Sequence, residues 1–105
     1  MRYLDFDVTD QHLSKNTKCN FENIVKNSKG YLVARFNFNQ EWNNTRKAAV
    51  FKNLGKEYYA AIVDNQCEIP WEALTYNRWK VSVVGETADG SKRIITNELG
   101  VEQCQ

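Results

Sequence analysis

The chain is short of proline, histidine, cysteine and long apolar runs. Its 105 residues include one proline, one histidine and three cysteines, and no apolar run approaches the ~18–20 residues that cross a bilayer. Its 14 Lys and Arg nearly balance 13 Asp and Glu, and the basic residues are too scattered to follow a phosphate backbone. We therefore expect neither a membrane nor a nucleic acid as a partner.

The cysteines argue against a secreted disulfide scaffold. Cys19, Cys67 and Cys104 are odd in number and far apart, without a CxxC pair or a histidine at zinc-ligand spacing. The N-terminus MRYLDFDVTD alternates acidic and apolar residues where a signal peptide would need an apolar block. We expect three reduced thiols, a buried Cys67, folding in the cytosol and a single domain spanning 1–105.

Apolar residues alternate with polar ones in several segments, which is typical of strands with one buried face. The alternation is clearest in 3–8, 31–38 and 79–83. The residues that it directs into the core are Leu4, Phe6, Val8, Leu32, Ala34, Phe36, Phe38, Trp79, Val81 and Val83.

Turn signals divide the remaining apolar segments. Segments 47–52 and 57–63 are apolar on both faces and flank Asn53-Leu54-Gly55-Lys56, which predicts a hairpin. The Asp-Gly pair within 88–91 predicts a second hairpin. The polar stretch 16–28 leaves a short helical turn near 21–25 or an irregular strand open. About seven or eight short strands indicate an antiparallel sandwich or a small barrel.

The stretch CEIPWEAL at 67–74 is the densest cluster of unusual residues. Pro70 favours an extended residue before it and suits the first position of a helix, so a short strand should end there. We expect one helical turn at 71–74, with Trp71 or Leu74 closing an end of the core. The stretch is therefore interpreted as a corner between two sheets.

A catalytic interpretation of the same stretch makes Cys67 a nucleophile with Glu68 or Glu72 as its base. A cysteine nucleophile normally needs a neighbouring histidine, and the only histidine, His12, is distant in sequence. His12 is instead predicted to be a surface or hairpin residue. The pattern favours the corner.

Asp5, Asp7 and Asp10 form a D-x-D-x-x-D pattern whose first two carboxylates share a strand face. A calcium ion would need more oxygen ligands, closer together, so we interpret the face as solvated. Several aromatics cannot all point inwards and could form a contact surface, which would also suit a sugar. These aromatics are Tyr3, Tyr31, Tyr58 or Tyr59, Trp42 and Tyr76.

The order of several motifs resembles a bacteriophage module. They are GYLVARFNF at 30–38, EW at 41–42, TRKAAVFKN at 45–53, the corner at 67–74, KVSVVG at 80–85 and RIITN at 93–97. Over about residues 3–101 the chain is similar to small immunoglobulin-like β-sandwich domains of virion structural proteins from phages and prophages of Gram-positive bacteria. Such domains often stand at the N-terminus of baseplate (upper), tail or head fibre proteins.

The resemblance implies an all-β, immunoglobulin-like antiparallel β-sandwich with no catalytic, cofactor-binding or metal-binding residues. The residues that it assigns to structure are Phe36, Phe38, Trp42, Phe51, Val81 and Val83 in the core, with Pro70 and Trp71 at the corner. Two departures from the family are Asn43-Asn44, in place of an acidic residue and glycine, and 53–55, which is one residue longer than the usual Asn-Gly turn.

The function that the resemblance implies is that of a non-enzymatic virion protein. It would decorate a particle or anchor a fibre on a capsid, tail or baseplate, assemble in the host bacterial cytoplasm, contact other virion proteins and form a homo-oligomer or symmetric array. It could stand alone or belong to a longer fibre. The alternative is a host-surface carbohydrate-binding or adhesion module that uses the exposed aromatics.

Overall fold

Strands account for most of the computed structural model, which describes residues 1–104. Within that range the chain forms nine strands and two single 3-10 turns, Gln40–Trp42 and Trp71–Leu74. The strands are β1 (Arg2–Thr9), β2 (His12–Lys15), β3 (Leu32–Phe38), β4 (Thr45–Asn53), β5 (Lys56–Ile62), β6 (Gln66–Glu68), β7 (Arg78–Thr87), β8 (Arg93–Ile95) and β9 (Leu99–Glu102).

Two sheets pack face to face. The four-stranded sheet has the order β2-β1-β3-β6, and the five-stranded sheet has the order β5-β4-β7-β8 with β9 also paired to β7. The prediction of an all-β sandwich is confirmed, as are the hairpins at 53–56 and 88–91. None of the helices in residues 1–104 has the length and apolar character needed to cross a membrane.

One strand pair departs from the antiparallel prediction. β1 runs parallel to β3, from Arg2 opposite Leu32 to Val8 opposite Phe38. Residues 16–31 supply the long crossover that a parallel pair requires. The Arg2 guanidinium holds this crossover by donating hydrogen bonds to three carbonyl oxygens within 20–23.

The crossover contains no helical turn, so that alternative for 21–25 is wrong. Ile24 is buried, while Val25 forms an isolated bridge with Cys104. The Cys104 N–H donates to the Ile24 carbonyl at 2.8 Å. An irregular strand is formed because these backbone groups bond to the C-terminal segment instead of to one another.

The core lies between the sheets and is filled by the residues that alternation directs inwards. Leu4, Phe6 and Val8 from one sheet meet Val81 and Val83 from the other, and all five are completely buried. A chain of aromatic contacts extends across the core, with ring centroids 5.2–5.8 Å apart. Its members are Phe6, Phe36, Phe38 and Trp42.

Trp42 is completely buried, as its assignment to the core predicted, so its inclusion among the candidate contact-surface aromatics is wrong. Its indole N–H donates to the Asp10 carbonyl at 2.7 Å. The ring lies on Gly85, where a Cβ atom would come within 2.7 Å of indole Cζ3. Glycine is therefore required on β7 by the close approach of the tryptophan.

The β4–β5 hairpin is tighter than its sequence indicates. Only Leu54 and Gly55 lie between the strands, with φ of 51° and 77°. Positive φ at both central residues is the geometry of a two-residue hairpin turn. The expectation of a loop one residue longer is wrong because Asn53 belongs to the strand.

Candidate functional site

The 67–74 stretch forms the predicted corner, but its tryptophan lies outside. The 3-10 turn follows Pro70 and buries Ala73 and Leu74 completely. Trp71 is 45% exposed, with the Lys29 ammonium 5.2 Å from its ring centroid. A single turn can bury only one side, so Leu74 closes the core and the idea of a buried Trp71 is wrong.

Two buried amide side chains fix the corner, and neither was singled out from the sequence. Asn53 donates to the Ala73 carbonyl at 3.1 Å. Gln103 donates to the carbonyls of Leu74 and Tyr76, at 3.3 and 2.6 Å. Asn53 is the last residue of β4 and Gln103 directly follows β9, and each stands two residues after a buried apolar residue. A polar residue that interrupts the alternation was the available signal.

The surroundings of Cys67 are unfavourable for a nucleophile. The thiol faces the core, and burial raises its pKa to about 12, so almost none is thiolate at neutral pH. Glu68 lies on the opposite strand face, and Glu72 is exposed on the 3-10 turn. His12 is exposed at the start of β2, opposite Thr9, as its hairpin assignment predicted. The geometry does not bring these groups together.

Each of the three aspartates has its own polar partner on or beside the four-stranded sheet. Asp5 accepts two hydrogen bonds from Arg35, at 2.7 and 3.1 Å, and the guanidinium lies 4.3 Å from the Tyr3 ring centroid. Within residues 1–104, no cluster of three or more His, Cys, Asp or Glu side chains could hold a metal ion.

The other two aspartates contact amides. Asp7 accepts from the Asn16 side chain at 3.2 Å, and Asp10 accepts from Asn39 at 2.9 Å. Two shallow cavities of about 220 and 310 Å³ lie on this polar face and share Asp7, Asn16 and Asn37. Carboxylates, amides and a tyrosine together are groups that can bond sugar hydroxyls.

A cavity of about 640 Å³ lies at the β4–β5 turn. Its lining includes Lys52, Lys80 and Tyr76, together with Asn53 and Trp79. The Asn53 Oδ1 and Trp79 Nε1 atoms have no hydrogen-bond partner, but both are sealed from solvent. A ligand in the open cavity would not reach them without a rearrangement.

The five-stranded sheet turns an apolar outer surface to solvent. Cross-strand register places Ala61, Ala48, Val84 and Ile95 in one continuous row over four strands. The second row, two residues along β4, contains Tyr59, the largely buried Val50 and the polar Ser82. We define the apolar face as Ala48, Val50, Tyr59, Ala61, Val84 and Ile95. Tyr59 and Ile95 are 65% and 53% exposed, which is unusual for such large side chains.

The same sheet has an open edge at β5, which pairs only with β4. Asn53 and Lys56 flank the two-residue turn, so the backbone groups of alternate residues point away from β4. The residues concerned are Glu57, Tyr59 and Ala61. A free row of donors and acceptors can pair with another strand.

The other exposed aromatics are spread over the surface. Tyr3, Tyr31 and Tyr76 are 41–49% exposed, and Tyr58 is half-buried.

Comparison with known proteins adds no assignment to these surfaces: no protein-family model, no curated protein and no solved structure matches the chain.

Proposed function

We propose that the protein is a non-enzymatic structural component of a bacteriophage virion, acting as a decoration or fibre-anchoring module on a capsid, tail or baseplate. Its sequence resemblance to virion β-sandwich domains supports the virion part of the proposal. The observation that supports docking is the open β5 edge, because an added strand is a common way to join β-sheet proteins. The module is assembled in the host cytoplasm and takes its place in the particle there.

Attachment through β5 needs only a short extended segment of a neighbouring virion protein. Main-chain hydrogen bonds provide the contact, and repetition around a symmetric particle strengthens it without a large interface at each copy. Glu57 beside Lys52 leaves charged groups at the turn end of β5, whereas the alanines at 60–61 leave its other half unobstructed.

A proline at position 61 tests this docking. The N–H of Ala61 points away from β4, so Ala61→Pro removes one edge donor while the β4–β5 ladder remains. Ala61→Ser is the matched control, since it keeps the N–H. Each variant is supplied during phage assembly, and purified particles are analysed for the protein by mass spectrometry.

We expect Ala61→Pro to be depleted from particles and Ala61→Ser to be retained, with equal thermal stability. Equal incorporation of both variants would exclude the β5 edge as the docking surface. Absence of the wild-type protein from purified particles would overturn the virion assignment itself.

The polar face supports a second candidate, a host-surface carbohydrate-binding or adhesion module. The Tyr3–Arg35–Asp5 arrangement and the adjoining cavity with Asp7 and Asn37 provide an aromatic ring beside several hydroxyl-bonding groups. A glycan array probed with wild type and Asp7→Ala tests it. Binding lost in the variant favours this candidate, and no binding by wild type removes it.

A further inference from the structure

The apolar face is bordered at both ends by charged rows. At one end, Arg46 on β4 lies opposite Glu86 on β7, and Glu86 lies opposite Arg93 on β8. Glu86 forms an ion pair with Arg93 at 2.7 Å, while Arg46 is exposed and has no ion pair among residues 1–104. The face therefore ends in an arginine without a partner beside a carboxylate.

The row at the other end carries a separate charge pattern. Lys52 contacts both Glu57 and Glu98, so the three groups together are net negative. Lys80, the cross-strand neighbour of Lys52, adds a positive charge on the next strand. One border thus holds Glu86 between Arg46 and Arg93, and the other holds Lys80 beside a net negative cluster.

From this pattern we propose that the apolar face binds a second copy of the same chain, related by a two-fold axis parallel to the strands between β4 and β7. Such an axis stacks β4 of one copy on β7 of the other. Each cross-strand row then lies opposite the same row of the second copy. Arg46 then lies opposite the second copy's Glu86. Lys80 lies opposite the negative cluster around the second copy's Lys52.

The sizes of the apolar side chains also fit this two-fold axis. Ala48 lies opposite the second copy's Val84, and Ala61 lies opposite its Ile95, so small side chains meet large ones across the interface. A two-fold axis perpendicular to the strands would instead place Arg46 opposite the second copy's Lys52 and its two glutamates, away from Glu86. Exchange of charge between Arg46 and Glu86 therefore distinguishes the two axes.

The face is modest in area, which sets the expected affinity. Four strands spaced ~4.8 Å apart give a contact roughly 20 Å wide, and the six residue steps from Arg46 to Lys52, at ~3.4 Å each, make it roughly 20 Å long. The resulting area of roughly 400 Å² is smaller than the ~800 Å² per partner of a standard interface. We expect a dimer that is half-dissociated at roughly 10–100 µM. This inference concerns the sheet face, not the β5 edge, and does not depend on the virion assignment.

A charge-exchange experiment tests the arrangement by sedimentation equilibrium of the purified chain between about 10 µM and 1 mM. Arg46→Glu and Glu86→Arg alone each place like charges together twice and should be monomeric. An equimolar mixture of the two variants restores both opposite-charge contacts and should form a heterodimer with at least ten-fold tighter association than either variant alone. Lys18→Glu, on an exposed loop, is the control and should match wild type.

Ile95→Asp provides a variant that does not involve the arginine–glutamate row, and it should also be monomeric. Far-UV circular dichroism and a thermal melt confirm that each variant is folded. A monomeric wild type at 1 mM overturns the proposal. The proposal also fails if Arg46→Glu dimerises as strongly as wild type, or if the mixture stays monomeric while wild type dimerises.

Discussion

Alanine at Gly85 should destabilise the sandwich because it forces a methyl group into the Trp42 ring. The new Cβ would lie 2.7 and 2.8 Å from indole Cζ3 and Cε3. Overpacking of this kind costs about 1–3 kcal/mol. Gly85 is outside the positive-φ region, so alanine also gains about 0.4–1 kcal/mol by restricting the unfolded chain. The net loss expected in the free energy of unfolding is about 0.5–2 kcal/mol.

The cause can be isolated with Trp42→Leu, which removes both indole atoms. That substitution alone should cost roughly 2–4 kcal/mol, including the hydrogen bond to the Asp10 carbonyl. In the Trp42→Leu background, Gly85→Ala should become neutral or stabilising by up to about 1 kcal/mol. Urea unfolding at constant m measures all four proteins, and the coupling energy should be about 1–3 kcal/mol.

Gly55→Ala is the matched control for this cycle. Gly55 has φ of 77° and open space around its would-be Cβ, so its alanine penalty comes from the backbone alone. That penalty should be equal in the wild-type and Trp42→Leu backgrounds. Equal Gly85→Ala penalties in both backgrounds would refute the steric explanation.

Other substitutions and conditions test the corner and one turn. Leu74→Ala should lower the free energy of unfolding by about 2–5 kcal/mol, and Trp71→Ala by less than about 1 kcal/mol, because only Leu74 is buried. Thermal or urea unfolding measures both, and a larger loss from Trp71→Ala would contradict an exposed Trp71. In the native protein, an alkylating reagent followed by mass spectrometry should modify Cys104 much faster than Cys67, whose thiol is buried with a raised pKa; faster labelling of Cys67 would contradict this environment. The Ser91 N–H and hydroxyl and then the Thr87 hydroxyl lower the pKa of Asp89 to about 2. Between about pH 4 and pH 2 the unfolded state therefore binds more protons, and stability should fall as pH falls. In Asp89→Asn, the urea midpoint should fall less steeply as the pH is lowered over this range. An equally steep fall in the variant would show that Asp89 is not the cause.

Alternation of side chains made much of the core predictable. Leu4, Phe6, Val8, Val81 and Val83 were assigned inwards from period two alone, and all are fully buried. Segments 47–52 and 57–63 are apolar on both faces, and the second face of each contributes to the apolar face. A strand with two apolar sides in a two-layer protein already signals a surface that is available for contact.

What the sequence did not determine depends on contacts between distant segments. The direction of β3 relative to β1 follows from the path of 16–31, and that polar crossover has no periodicity. The side of the corner that would be buried depended on Leu74 meeting the core and on the amides of Asn53 and Gln103. Ala73 and Leu74 accept those bonds through main-chain carbonyls, which every residue possesses, so the sequence can mark the amide donors but not the carbonyls that accept from them.

The parallel pairing of β1 with β3 also orders events during synthesis. β1 and β2 emerge first and can form their hairpin at once, but the other side of β1 stays unpaired until β3 has emerged. During that interval β1, whose inward residues Leu4, Phe6 and Val8 are apolar, presents an open edge beside the ribosome. Two strands that are distant in sequence pair slowly. We therefore expect the nascent chain to be more prone to aggregation than the finished sandwich.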